Sequence, residues 1–263
     1  MADALTPEQV SAFQGDGYVL VEQHFTAEEM ATLLEVACID QELAAIAADR
    51  KDAEGRVSRL SLRFDLPVDA YGAYARHHRI ILPLQQLLGC EVYHYHHKMM
   101  MKEPLTGGAW EWHQDFGYWH ENFLYPDMAS CMIAVDRATR ANGCLQVLRG
   151  SHRMGRLDHG RTGDQTGTEA DRIAEVGKRL ELVHCEMEPG TVLFFHSNLL
   201  HRSDANTSSH PRWALICCYT GTHNLPFRHG ALGGPFEPCA LFDDDRVAAE
   251  LADHHRHLTA AAG

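Results

Sequence analysis

Two stretches of the chain hold side chains whose types and spacing suit catalysis. The first runs Trp112-His113-Gln114-Asp115-Phe116-Gly117-Tyr118-Trp119-His120, with an imidazole and a carboxylate two residues apart. In an extended strand residues i and i+2 share a face, so His113 and Asp115 would aim at one point. The aromatic neighbours mark that strand as half buried. The second stretch, residues 194–203, offers His196 and His201. With His201 folded back onto the first pair, the three side chains form a 2-His-1-carboxylate triad, a set that suits Fe(II) and leaves three positions open. Two of those can chelate a 2-oxo acid and the third can take O2. The far carboxylate of such a cosubstrate needs a cation. Arg212, 11 residues after His201, offers a bidentate fork that lysine cannot copy. His196 is the competing ligand, but it follows Phe194-Phe195 in a strand, and the spacing to the arginine favours His201.

The elements that must hold these groups follow from capping and periodicity. Thr6-Pro7-Glu8-Gln9 opens a helix that stops near Gly15-Asp16-Gly17, and a short strand follows at Tyr18 to Val21. Thr26 to Glu29 is a second capping box, predicting a long helix to about Arg50. Residues 49–69 read as a polar loop with a short strand, and 70–88 as a helix interrupted near Pro83. Strands are predicted at 91–102, 127–136, 144–148, 182–187, 191–196 and 213–219. The polar segment 150–169 reads as a loop over the site, with a helix at 170–178 and a short acidic helix at the end. Helices first and short strands after predict a mainly β fold with flanking helices, a β-sandwich or jelly roll.

Composition narrows the function class. The chain has 263 residues, 45% of them hydrophobic, and a net charge of −13. An acidic chain without a Lys/Arg cluster is a poor partner for nucleic acid. No apolar run reaches the length of a membrane span, and the N-terminus lacks the pattern of a signal peptide. The eight cysteines form no C-x-x-C pair and read as buried, reduced thiols of a cytoplasmic protein. The expected partner is a small-molecule substrate, and the oligomeric state is not legible. A non-catalytic jelly-roll metal binder is the alternative, although such a protein needs no cosubstrate clamp.

In order along the chain, Leu5-Thr6-Pro7-Glu8-Gln9, His113-Gln114-Asp115, Asn142-Gly143-Cys144-Leu145 leading to Gly150-Ser151-His152, Pro189-Gly190-Thr191 with Phe194-Phe195-His196, and His201 with Arg212 resemble the phytanoyl-CoA dioxygenase family of Fe(II)/2-oxoglutarate oxygenases. The resemblance spans residues 5 to about 222. It implies one dioxygenase domain: a helical part at about 5–90, a double-stranded β-helix (jelly roll, cupin-like) at about 91–222, and a C-terminal extension at 223–263. It also implies His113, Asp115 and His201 as iron ligands and Arg212 as the 2-oxoglutarate clamp. Lys102 and Met132 fall where relatives contact the cosubstrate. Residues 113–121 are similar to the ectoine hydroxylase branch, which implies Trp119 and His96 as substrate-binding residues, with His96 standing where that branch has a glutamine. The implied reaction is hydroxylation of a C–H bond, with 2-oxoglutarate converted to succinate and CO2. Asp115 argues against halogenation, where a small residue replaces the carboxylate.

Overall fold

The structure is a computed structural model that describes residues 4–162, 165–228 and 238–261. Helix α1 (Pro7–Asp16) carries the expected capping box, with Thr6 and Gln9 each bonding the other's backbone, and it ends where Gly17 adopts φ 86°. Strand β1 (Tyr18–Val21) follows. Helix α2 (Ala27–Ile39) begins at its predicted box but stops well short of Arg50. Asp40 turns extended and caps a separate helix α3 (Gln41–Ile46), and the chain then enters β2 (Ala47–Lys51). The alanines there favour helix, but pairing with β3 (Val57–Arg63) overrides that weak preference.

The interruption expected at Pro83 lies elsewhere. Helix α4 (Ala70–Ala75) ends, His77 caps α5 (His78–Leu88), and Pro83 sits inside the second helix. A proline there leaves the carbonyl four residues earlier without its donor. That carbonyl belongs to Arg79, and His24 Nε2 occupies it at 2.5 Å.

The remaining strands build two sheets. They are β4 (Val92–Lys102), β5 (Trp110–His113), β6 (Met128–Ala134), β7 (Leu145–Leu148), β8 (His159–Thr162), β9 (Gln165–Thr168), β10 (Leu182–Cys185), β11 (Val192–His196), β12 (His201–Ser203) and β13 (Arg212–Gly221). Helices α6 (Phe116–Trp119), α7 (Ala170–Gly177) and α8 (Asp244–Ala261) complete the described elements. The large sheet has the order β1-β11-β6-β13-β4-β3-β2, the smaller one β10-β7-β12-β5, and β8-β9 form a separate hairpin. This is the predicted jelly roll with flanking helices. Alternation assigns each face. In β6, Ala129, Cys131 and Ile133 join the core under the helices, while Met128, Met132 and Ala134 face the space between the sheets.

One register shift matters for the site. Between Cys218 and Tyr219 the β13–β4 pairing skips a residue: Cys218 lies opposite His96 and Tyr219 opposite His94. Tyr95 is the extra residue of this bulge, so Tyr95 and His96 both reach the inter-sheet space while His94 turns to His97 on the other face, 3.1 Å away.

One sequence expectation changes: Cys38 is exposed, although the described thiols are all free, as expected. In the final helix, His254 lies 3.6 Å from the buried Asp40 carboxylate, which also accepts from Tyr71.

Burial drives both His77 and His97 down to about 3, with neighbouring arginine charge adding to it. Each is neutral when folded but gains a proton on unfolding below about pH 6.5. Stability is therefore full above pH 6.5 and falls as the pH drops towards 3, at up to about 1.4 kcal/mol per pH unit for each ring. Urea midpoints should be level from pH 7.5 to about 6.5 and fall steadily from there to pH 4.5, and a flat profile throughout would contradict the neutral buried rings.

Candidate active site

His113 ends β5, and register places it directly opposite His201 at the start of β12, so the two rings lie tilted against each other with centroids 4.1 Å apart. Asp115 is not on that strand. The chain leaves the extended conformation after His113, and Asp115 has helical angles (φ −56°, ψ −42°) at the entry to α6. The turn, rather than strand alternation, brings the carboxylate over. Asp115 Oδ1 lies 4.0 Å from His113 Nε2 and 3.9 Å from His201 Nε2. All three residues are buried.

Backbone carbonyls set which nitrogen of each ring carries the proton. His113 Nδ1 is 2.7 Å from Glu111 O, and His201 Nδ1 is 2.9 Å from Leu199 O. A carbonyl only accepts, so Nδ1 bears the hydrogen in both rings and each Nε2 presents a lone pair to the common point. Burial, first of all causes, holds His113 and His201 below the usual imidazole range, which keeps those lone pairs unprotonated at neutral pH. The other carboxylate oxygen of Asp115 accepts from Ser130 Oγ at 3.0 Å. Two neutral imidazoles and one carboxylate, each oriented from behind, are a donor set that fits a ferrous ion.

Gln114 holds this turn in place. Its amide nitrogen donates to Gly155 O and Asn198 O at 2.9 and 2.8 Å, and its amide oxygen accepts from Leu157 N at 2.7 Å. Its backbone N–H donates to His159 Nε2 at 3.0 Å, while His159 Nδ1 donates to Leu157 O. The segment read as a loop over the site is thus bonded to the motif itself. Gln165, on β9, also bonds β5 through Glu111 N and Ala109 O.

The triad opens onto a cavity of about 370 Å³ between the sheets. Met132, Trp119, His96 and Arg212 all line it. Arg212 is fully enclosed: one Nη2 donates to Gly143 O at 2.9 Å, and Nε is buried without a partner among the described residues. Burial lowers it to about 10, so it stays cationic at neutral pH. His96 likewise has a buried, unpartnered Nδ1. Trp119 packs edge-on against His96 and Tyr95, at 5.5 and 5.4 Å between centroids.

Lys102 is placed differently. It pairs with Arg212 across β4 and β13, but its ammonium donates to Ser203 Oγ at 2.9 Å and to Asp204 O, behind the cavity wall. His196 lies apart from the triad, with Nδ1 accepting from Asn198 N–H at 3.0 Å and its ring near Phe13 and His152.

A second cluster, His77, His78 and Asp244, has ligand atoms close together. There His77 Nδ1 accepts from Arg79 N–H, so Nε2 carries the proton, and Arg79 Nη2 already sits 2.7 Å from Asp244 Oδ1. That cluster is an ion-pair network rather than a metal centre.

Sequence reading missed Ser130, Gln114 as a brace, and Gln165. Ser130 leaves a trace, being the one polar side chain in an otherwise apolar strand. Gln114 and Gln165 leave none.

The phytanoyl-CoA dioxygenase (PhyH) family model matches residues 13–214. An ectoine dioxygenase of Bordetella parapertussis is 30% identical over 239 residues, covering 85% of this chain and 78% of the relative. An L-proline trans-4-hydroxylase of Streptomyces griseoviridis is 34% identical over 161 residues, 54% of this chain and 59% of that one. The crystal structure of EctD from S. alaskensis with 2-oxoglutarate and 5-hydroxyectoine superposes with a TM-score of 0.75 at 27% identity, covering 92% of this chain and 89% of that one.

A Cβ at Gly117 would lie 2.0–2.4 Å from three atoms of the His159 ring. Gly117→Ala should therefore unseat His159 from the Gln114 amide and cost about 1–3 kcal/mol by overpacking. Denaturant unfolding together with faster hydrogen exchange at residues 155–159 would show it. Unchanged exchange there would mean that the ring does not brace the motif.

Proposed function

Because this chain belongs to the phytanoyl-CoA dioxygenase family, whose members are 2-oxoglutarate-dependent dioxygenases, we propose that it hydroxylates an unactivated C–H bond of a small metabolite, releasing succinate and CO2. The observation that carries this reading is the pairing of the buried triad with a buried, half-unpaired Arg212 on one cavity wall. A metal-binding protein without catalysis has no use for an arginine whose enclosed N–H groups wait for an acceptor, since an orphaned buried donor costs stability.

His113, Asp115 and His201 would hold the iron. Iron, when bound with 2-oxoglutarate, supplies the activation of O2. The chain's own residues do the rest. Arg212 grips the distal carboxylate of 2-oxoglutarate, with Met132 as an apolar wall beneath the cosubstrate. Lys102 acts at one remove, fixing Ser203 and Asp204 at the Arg212 end. The apolar lining, including Leu60, Leu145 and Ile216, excludes water from the reacting centre.

Trp119 and His96 form the substrate side, the ring giving an apolar face and the imidazole a neutral polar contact. Burial first, then the charge of Lys98, keeps His96 unprotonated. The cavity sits at the small end of the range for small-molecule sites, roughly 300–1,000 Å³. Shared with 2-oxoglutarate, it has space for a metabolite of amino-acid size.

His201→Ala should abolish binding of Mn(II), used as an inert probe and read by electron paramagnetic resonance, and with it 2-oxoglutarate turnover. Tight binding by the variant would remove His201 from the ligand set. Arg212→Ala should weaken 2-oxoglutarate by about 1.5–3 kcal/mol, the scale of a charge-assisted hydrogen-bonded pair, or roughly 10- to 150-fold in KM. An unchanged KM would leave the cosubstrate carboxylate elsewhere.

A further inference from the structure

The wall of the cavity is unusually cationic for so acidic a chain. Arg50, Lys98, Arg202 and Arg212 line it, against the single carboxylate of Asp115. Three of the four cations are accounted for. Arg212 faces the cosubstrate end. Arg202 donates to Gln146 at 2.9 Å, lies 3.4 Å from Asp204 and stacks on Trp112. Arg50 is exposed and folds onto the carbonyl of Asp49. Lys98 is half buried and makes no hydrogen bond or ion pair among the described residues.

Its place in the sheet says what it faces. Lys98 lies between Leu62 on β3 and Ile216 on β13, apolar neighbours that offer no acceptor. The adjacent row across the sheet is His96, Cys218 and Ser130, and Ser130 holds Asp115. Lys98 therefore emerges beside the triad. Lys102, opposite Arg212, is four residues further along β4, roughly 13 Å at about 3.3 Å per residue. Lys98 is thus well separated from Arg212 along the cavity wall, and the cosubstrate's distal carboxylate uses only the Arg212 end.

We propose that Lys98 anchors the substrate, and that the substrate is a compact carboxylic acid whose carboxylate pairs with this ammonium while its apolar body lies against Trp119, Tyr95 and Phe64. A substrate carboxylate would give this ammonium the charge-assisted bond that no described residue supplies. The aromatic walls give the body of such an acid a surface but no competing charge. This inference rests on the functional reading above, because it assigns the Arg212 end to the cosubstrate.

The test uses the full chain and matched pairs of acid and primary amide: L-proline and L-prolinamide, hexanoate and hexanamide, cyclohexanecarboxylate and its carboxamide. Binding is followed by the fluorescence of the wall tryptophans, with and without Mn(II) plus 2-oxoglutarate. At least one acid should bind tenfold or more tightly than its amide. Lys98→Met should reduce that preference to under twofold, and Lys98→Arg should restore it. Both variants should keep the wild-type circular dichroism melt and the wild-type affinity for 2-oxoglutarate. The proposal is overturned if no acid binds better than its amide or if Lys98→Met keeps the preference. It is equally overturned if Lys98→Met weakens 2-oxoglutarate as much as the acid, which would give Lys98 to the cosubstrate. Failure of the functional reading looks different: the wild type would bind neither Mn(II) nor 2-oxoglutarate, whatever the acids do.

Discussion

Two hydrogen bonds from imidazole to backbone carbonyl organise this molecule: His113 Nδ1–H to Glu111 O, and His201 Nδ1–H to Leu199 O. Each bond spans two residues of its own segment, so each ring is locked by local backbone and not by a distant side chain. The locked rings are then brought side by side by sheet register, His113 opposite His201. Nothing flexible intervenes between the backbone of the small sheet and the two lone pairs. A metal binding there would meet ligands that have already lost their rotational freedom, which is how a small donor set gains affinity.

The third donor needs a different solution, because a strand cannot put a carboxylate opposite a cross-strand pair and still continue. The chain ends β5 at His113 and turns into α6, and Gln114 bears the load of that turn through bonds to residues 155, 157 and 198. Phe116 N–H bonds Ser197 O, tying the far side of the turn to the same segment. The bracing explains why a side chain pointing away from the site lies between two that point into it. It also explains the closeness of Gly117 to His159: the brace and the helix turn compete for the same space, and only hydrogen fits between them.

The fold class, most strands, both capping boxes and the convergence of three side chains were legible, because each rests on residue types with narrow physical uses. Thr-Pro-Glu-Gln has little else to do but start a helix, and Phe194-Phe195 between turns reads as a buried strand. What was not legible was decided by partners distant in sequence. The helix expected to reach Arg50 is cut at Asp40 because Asp40 is held by Tyr71 and faces His254, and Pro83 is tolerated in a helix because His24 supplies what the proline lacks. The route to Asp115 was misjudged for a related reason: two-residue spacing fits a strand and a turn alike, and the bonds of Gln114 choose between them. The family resemblance pointed to Lys102 and said nothing of Lys98. The two are four residues apart on the same face of β4, and only the positions of Ser203 and Asp204 show which ammonium is already engaged.

The bulge at Tyr95 ties these local choices to selectivity. Without the extra residue, alternation would send Tyr95 to the helical core and remove one of the rings that pack on His96. With it, Tyr95 and His96 both face the cavity, and Trp119 packs against both. Trp119 comes from α6, the turn that also delivers Asp115. The residue proposed to touch the substrate and the residue proposed to hold the metal are therefore positioned by one rigid turn, four residues apart. A shift in that turn would move both together, while positions 96, 98 and 100 of the wall belong to a separate element, β4.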